Sequence, residues 1–407
     1  MIRLNLTGLA LLLVACGCAT SRLQETRDLT PLLHKASPQI HQVLTTPEKF
    51  RVQILIAEVV TNQSGRVALQ RSGYRVDAEY FYPASSIKLC AAVVALQTIE
   101  QLQAQHRIGD LLETPMEIAP LFPGDVAQTN DPSNLAGGGI TVGHEIRKIG
   151  LVSDNQAYNR LYDLVGHEGL NRSMHALGLK STVLNHRLSD ARTIPDMLAT
   201  AAVNFHVPGA EPIRVPARRS ALNLANSSKD LFIGTGYMKG ETLTNAPMDF
   251  TRRNGISLVD LQDLLIKVTR PDIDLGTPAL QLSPVHREML LAAMSMYPGE
   301  SHNPVYSAER HPDINSKFLL PGIRRVFPKA QLSRRIEVTG KPGRAYGFSI
   351  ENSYVHNPKN GRAVFVTAVL NTNSDGILND DKYDYETVAD SFLADLGELV
   401  ARRWLGD

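Results

Sequence analysis

The chain has 407 residues, 43% apolar and 20% charged, which is enough to bury a large core and excludes a disordered polymer. Forty-two Lys and Arg against 41 Asp and Glu leave a net charge of +1, so no overall field holds a polyanion, and no nucleic-acid partner is expected. Three cysteines, two of them Cys16 and Cys18, write no disulfide framework and no clustered zinc spacing. Residues 1–15 read as an export signal, with Arg3 at the start of a mostly apolar run. That run is shorter than the roughly 20 residues a membrane span needs.

Leu13-Val14-Ala15-Cys16 resembles a bacterial lipobox, which implies an acylated Cys16 as the mature N-terminus. Gly17 stands where an aspartate would favour inner-membrane retention, so the resemblance implies an outer-membrane anchor facing the periplasm. Residues 16–30 are polar without periodicity and read as the tether, and the body is expected over 31–407.

Pro31 opens a helix expected to run toward Leu44. Two strand-like runs, 52–60 and 67–74, flank Asn62-Gln63-Ser64-Gly65 and predict a hairpin. From Ser85 to Ile99 apolar residues recur at three- and four-residue steps and fill in nearly all round, predicting a buried helix. Helical spacing returns over 141–150 and 155–165, and these two helices flank Ser153. Residues 186–253 are broken by five prolines and predict a long irregular insertion with one strand-like patch at 231–238. Helices are expected at 258–268, 286–296 and 385–404, and strands at 335–339, 346–350 and 362–370. Strands at both ends with helices between predict an α/β (α+β) fold, an antiparallel sheet flanked by helices plus an all-helical lobe.

Pro83-Ala84-Ser85-Ser86-Ile87-Lys88 puts a hydroxyl at the start of that buried helix and an amine one turn on, where the two can touch. A lysine whose pKa is lowered by burial can take the proton of a serine nucleophile, and free N–H groups at a helix start can stabilise an oxyanion. The plain alternative is a capping serine beside a surface lysine, although Lys88 has apolar company in Ile87, Leu89, Cys90, Ala91 and Ala92. Cys90 reads as a small core residue. Ser153-Asp154-Asn155 lies between two helices, where a simple helix cap is the alternative, and Lys341-Pro342-Gly343 follows a strand-like run and precedes another. The acidic stretch 375–384 lacks an EF-hand spacing and reads as a solvated loop.

In this order and on these elements, the three segments resemble the class A β-lactamase and penicillin-binding-protein superfamily of active-site serine enzymes. The resemblance implies that Ser85 is the acylated nucleophile, Lys88 its proton acceptor and Ser153 the proton donor to the leaving nitrogen. It implies that Asn155 binds the substrate's side-chain amide and that Lys341, with Gly343 and Arg344, lines the substrate site. The backbone N–H groups of Ser85 and Arg344 would form the oxyanion hole. It implies no cofactor and no metal, a β-lactam or peptidoglycan-like substrate, a membrane contact only through the lipid anchor, and a monomer.

Two departures stand out. Pro342 replaces the Thr or Ser of the third motif and removes a hydroxyl and an N–H. No glutamate stands where the family's deacylating base would fall after Ser153: counting reaches Leu188, Ser189 and Asp190, leaving Asp190, Asp196 and Glu211 as the local carboxylates. Spacing and order match class A, so a β-lactamase is expected first and a slowly deacylating D,D-peptidase or esterase second, while the two departures motivate a non-catalytic binding lipoprotein as the reading of a different class.

Overall fold

The structure is a computed structural model that describes residues 26–327 and 336–406. The export signal, Cys16, Cys18 and Arg335 lie outside the described residues.

Alternation builds the central sheet. In β2 (Gln53–Thr61) Ile54 and Ile56 face one core while Leu55 and Ala57 face another, because successive side chains of a strand point to opposite faces. Its seven strands also include β1 (Arg27–Asp28), β3 (Val67–Tyr74), β4 (Glu337–Gly340), β5 (Gly343–Ala345), β6 (Phe348–Asn357) and β7 (Arg362–Asn371). The order is β1-β3-β2-β7-β6-β4, with β5 also on β6. Each pairing is antiparallel except the β1–β3 edge, which is parallel. The N- and C-terminal thirds thus meet at the β2–β7 ladder, where Ile56 opposes Val366.

Helices cover both faces. One core packs Leu33, Ile40 and Val43 with Val364, Val366, Phe392 and Leu396. Ile40 and Val43 belong to α1 (Pro38–Leu44). The other core is larger and centres on α2 (Lys88–His106), whose first half is buried residue after residue. Around α2 stand α3 (Val142–Val152), α4 (Asn155–Val165), α5 (His167–Ala176), α6 (Leu258–Thr269) and α7 (Pro284–Ser295). Each fully buried aliphatic side chain in these cores contributes about 1.5–3 kcal/mol, so the two faces together fix the sheet.

Several expectations are corrected. Residues 27–30 of the tether are not free: β1 pairs with β3, and a short helix, Thr30–Leu33, follows. The helix expected from Pro31 to Leu44 is two helices, broken at Ser37, whose hydroxyl accepts the Ile40 N–H and starts α1. The 231–238 patch splits into Phe232–Ile233 and Gly236–Lys239 around Gly234, whose φ is 79°. The strand expected over 346–350 begins at Phe348, because Tyr346 and Gly347 turn with φ of 53° and 78°. The insertion is less irregular than its prolines imply, since it forms short strand pairs such as Val203–Phe205 with Ile213–Val215. The final helix runs as a π-turn (Tyr385–Ala389), α8 (Asp390–Val400) and a second π-turn (Ala401–Leu405).

Candidate active site

Ser85 sits on a single 3₁₀ turn, Ala84–Ile87, that feeds α2. Pro83 closes the turn by accepting both the Ser86 N–H at 3.1 Å and the Ser86 hydroxyl at 2.6 Å. Ala84 takes φ of 48°, a left-handed conformation that costs an L-residue roughly 1–2 kcal/mol. The Ser85 hydroxyl is thereby left at the mouth of the helix, half-buried, and caps nothing among the described residues.

Lys88, the first residue of α2, is completely buried, which removes the surface-lysine alternative. Its amine does not bond to Ser85; it donates to Asn155 Oδ1 at 2.6 Å, to Ser153 Oγ at 3.2 Å and to the Ser153 carbonyl. Burial pushes its pKa down to about 7, with the nearby Asp154 charge pulling partly back. The Lys341 amine donates to the same Ser153 Oγ at 2.8 Å and to the Pro342 carbonyl at 2.9 Å. It is held well below the ordinary lysine range by burial first, then by repulsion from Lys88 and Lys317. One hydroxyl therefore stands between two amines that are both inclined to be neutral.

The turn carrying Ser153 is fixed from below. Ser153 ends α3 in a left-handed conformation, φ 60°, and Asp154 caps α4 by accepting the Ala157 N–H at 2.8 Å. The tripeptide thus caps a helix at Asp154 and sets Ser153 and Asn155 against the Lys88 amine. Beneath it Lys148 meets Asp131 at 2.6 Å and Asp154 at 3.4 Å, and Arg160 joins Asp131 to the buried Glu145. Asn155 has both ends committed, because its Nδ2 donates to Ser189 Oγ at 2.7 Å.

Across the cleft, β5 lies against the Ser85 turn. A Cβ at Gly343 would come within 2.6 Å of the Ser85 backbone nitrogen and 2.8 Å of that of Ser86, so only glycine fits this approach. Ser85, Ser153, Pro342, Gly343 and Arg344 line one cavity of about 220 Å³ with Asn315 and Phe318. The Arg344 guanidinium turns toward Asp390 and lies 4.2 Å over the Phe318 ring.

Residues 186–253 bring no carboxylate to Ser85. Ser189 and Leu188 line a second cavity with Ser85 and Asn155, of about 370 Å³. Asp190 is paired with Arg192 at 2.7 Å and lines a different cavity, Asp196 is tied to Thr193, and Glu211 is exposed. The acidic stretch is largely exposed, as read, and it also walls the site: Asn379, Asp381 and Tyr383, with Tyr385 just beyond them, line the Ser85 cavity together with Tyr82 and Tyr346. No local signal marks these residues, since the wall exists only once the chain has folded.

Residues 38–217, the stretch that carries Ser85, Lys88, Ser153 and Asn155, match the model of the beta-lactamase enzyme family. Among solved structures the chain is similar to a β-lactamase from Desulfarculus baarsii DSM 2075, at 15% identity and a TM-score of 0.46, covering 89% of this chain and 94% of that one. It is similar to the chromosome-encoded β-lactamase of Vibrio parahaemolyticus at 14% identity and a TM-score of 0.48, covering 89% and 97%. It is also similar to PBP-A at 16% identity and a TM-score of 0.49, covering 93% and 97%. A search of curated proteins gives no match.

Proposed function

We propose that the protein is a β-lactam-acylated serine hydrolase in which hydrolysis of the acyl-enzyme is the slow step. The convergence of Lys88 and Lys341 on the Ser153 hydroxyl, in the cleft that opens on Ser85, carries this reading. Ser85 Oγ adds to the lactam carbonyl carbon while its proton passes to the Lys88 amine. The C–N bond then breaks, Ser153 gives its proton to the leaving nitrogen, and the Lys88 ammonium restores it. Developing charge on the carbonyl oxygen is met by N–H groups of Ser85 and Arg344. Water next adds to the ester carbonyl, Ser85 regains its proton and the acid leaves. Ser189 stands where a carboxylate would speed that last step, which supports slow deacylation.

An intact-mass time course with a penicillin tests this, with Ser85→Ala as the blank. A Ser85 adduct that persists for minutes or longer is expected. Absence of an adduct at all times sinks the reading. An adduct that clears within seconds makes the protein an efficient β-lactamase instead.

A second reading, a D,D-peptidase that penicillins inhibit, is favoured by the same Ser189 and is distinguished by release of D-Ala from a D-Ala-D-Ala peptide. We also propose a lipid anchor at Cys16, holding the protein on the periplasmic side of the outer membrane. The sequence Leu13-Val14-Ala15-Cys16 supports it, and Cys16→Ala should release the protein from membranes to the soluble fraction.

A further inference from the structure

We propose that the cavity walled by Tyr82, Tyr346, Tyr383, Tyr385 and Asp381 beside Ser85 is a subsite for a cationic, ammonium-bearing substituent of the acyl donor. It rests on the reading of Ser85 as the acyl acceptor and adds the chemical class of the group next to the scissile bond.

The first ground is charge. The Asp381 carboxylate is exposed and meets no hydrogen-bond or ionic partner among the described residues. Arg344 is the cationic residue on this cavity, and it is already neutralised by Asp390 and covered by Phe318 and by Tyr385, whose ring lies 5.2 Å from its guanidinium carbon. Among the residues that line the space the uncompensated charge is therefore negative, while Arg253 acts on Tyr82 without lining it.

The second ground is the aromatic lining. Tyr82 and Tyr346 meet edge-on with ring centroids 5.0 Å apart, and Tyr383 and Tyr385 lie 5.2 Å apart. The Tyr383 hydroxyl accepts the Asn379 N–H at 2.6 Å and the Tyr385 hydroxyl accepts the Gly347 N–H at 3.0 Å, so these two rings are anchored at their polar ends. Ring faces carry negative potential and attract ammonium groups, most strongly where several rings share one space.

The third ground is that the wall is held in place at a cost. Five of the eleven non-glycine residues with positive φ among the described residues line this one cavity: Ala84, Ser189, Tyr346, Asn379 and Asp381. Such conformations persist only where surrounding structure enforces them, and they gather at functional sites. Here the 186–253 insertion does the enforcing. Its strand Gly236–Lys239 pairs in parallel with Ile377–Leu378, and Asn379 Nδ2 donates to the Met238 carbonyl at 3.0 Å. The insertion thus braces the wall that carries Asp381.

Two measurements test the proposal. In the first, the protein is titrated with benzyltrimethylammonium and followed by NMR. Saturable binding is expected, weakening with added salt and about 3- to 30-fold weaker in Asp381→Asn. No saturable binding, or equal affinity in the variant, overturns the subsite; the salt series on the unaltered protein keeps the test decisive if the variant fails to fold. In the second, Ser85 acylation is timed at pH 6.5 with two penicillins that differ only by an α-amino group on the benzyl side chain, where that amine is protonated. The aminated compound is expected to react about 3- to 30-fold faster. Adducts forming at equal rates overturn the subsite while acylation stands. Ammonium binding with no adduct from either penicillin overturns the acylation reading while the cation site stands.

Discussion

The amine of Lys341 lies 2.8 Å from the hydroxyl oxygen of Ser153, and the Lys88 amine lies 3.2 Å from the same oxygen. While both amines donate to it, the Ser153 hydroxyl is free to point its own proton into the cleft it shares with Ser85. Ser153→Ala should therefore slow acylation by 10²- to 10⁴-fold with little change in fold, as expected of a lost proton donor. Adduct formation rates by mass spectrometry, beside an unchanged thermal melt, check it.

In the proposed acylation the Lys88 amine takes the Ser85 proton, which it can do only when neutral. With its pKa pushed down to about 7, the acylation rate should fall tenfold per unit below about pH 7 and level off above it. A rate profile flat from pH 5 to 9 would remove Lys88 as the base. The linkage to stability runs with the same group: a folded pKa below the unfolded value means that the Lys88 contribution to stability declines as pH falls from about 10.5 to about 7.

Asn155 Oδ1 accepts from the Lys88 amine and so favours its charged form. Asn155→Leu removes that acceptor, and the acid limb of the acylation profile should move to lower pH. A limb that stays in place would mean that burial and the Asp154 charge set the amine's protonation without this bond.

Gly343→Ala forces a methyl group within 2.6 Å of the Ser85 nitrogen. Overpacking of this kind costs about 1–3 kcal/mol, and here the strain falls on the strand facing Ser85. Denaturant unfolding should show that loss, and acylation should drop more steeply than stability does.

Ser189 bonds Asn155 on the cavity wall shared with Ser85. Placing a carboxylate there, Ser189→Glu, should shorten the lifetime of the acyl-enzyme by about tenfold or more, since a positioned base accelerates attack by water. The decay of the penicillin adduct measures it directly.

Legibility in the sequence followed the range of the interactions involved. The α2 helix, the β2–β3 hairpin, β7 and the turn at Ser153 each announce themselves within a dozen residues, through periodicity, turn chemistry or a cap. Ser85, Lys88, Ser153 and Lys341 were readable because their motifs sit on such elements. Tyr346 misled because β-propensity favours a strand, whereas Gly347 behind it turns the chain. The Asp381 wall was unreadable because its polar residues resemble any solvated loop until Gly236–Lys239 pins them beside Ser85. Asp190 sat at the right count and in the wrong cavity, since Arg192 draws its carboxylate away.

The pairing of β2 with β7 also governs when this protein becomes competent during synthesis. A chain emerging from its N-terminus presents Ser85, Lys88 and the apolar β2–β3 hairpin while the strand that must cover the edge of β2 is still unmade. Such distant pairing forms slowly, and an uncovered strand edge invites pairing with other chains. An unfinished copy is therefore an aggregation hazard: closing the β2–β7 ladder covers that edge, and the same late stretch of chain supplies β5, which pairs with β6 and brings Gly343 against Ser85.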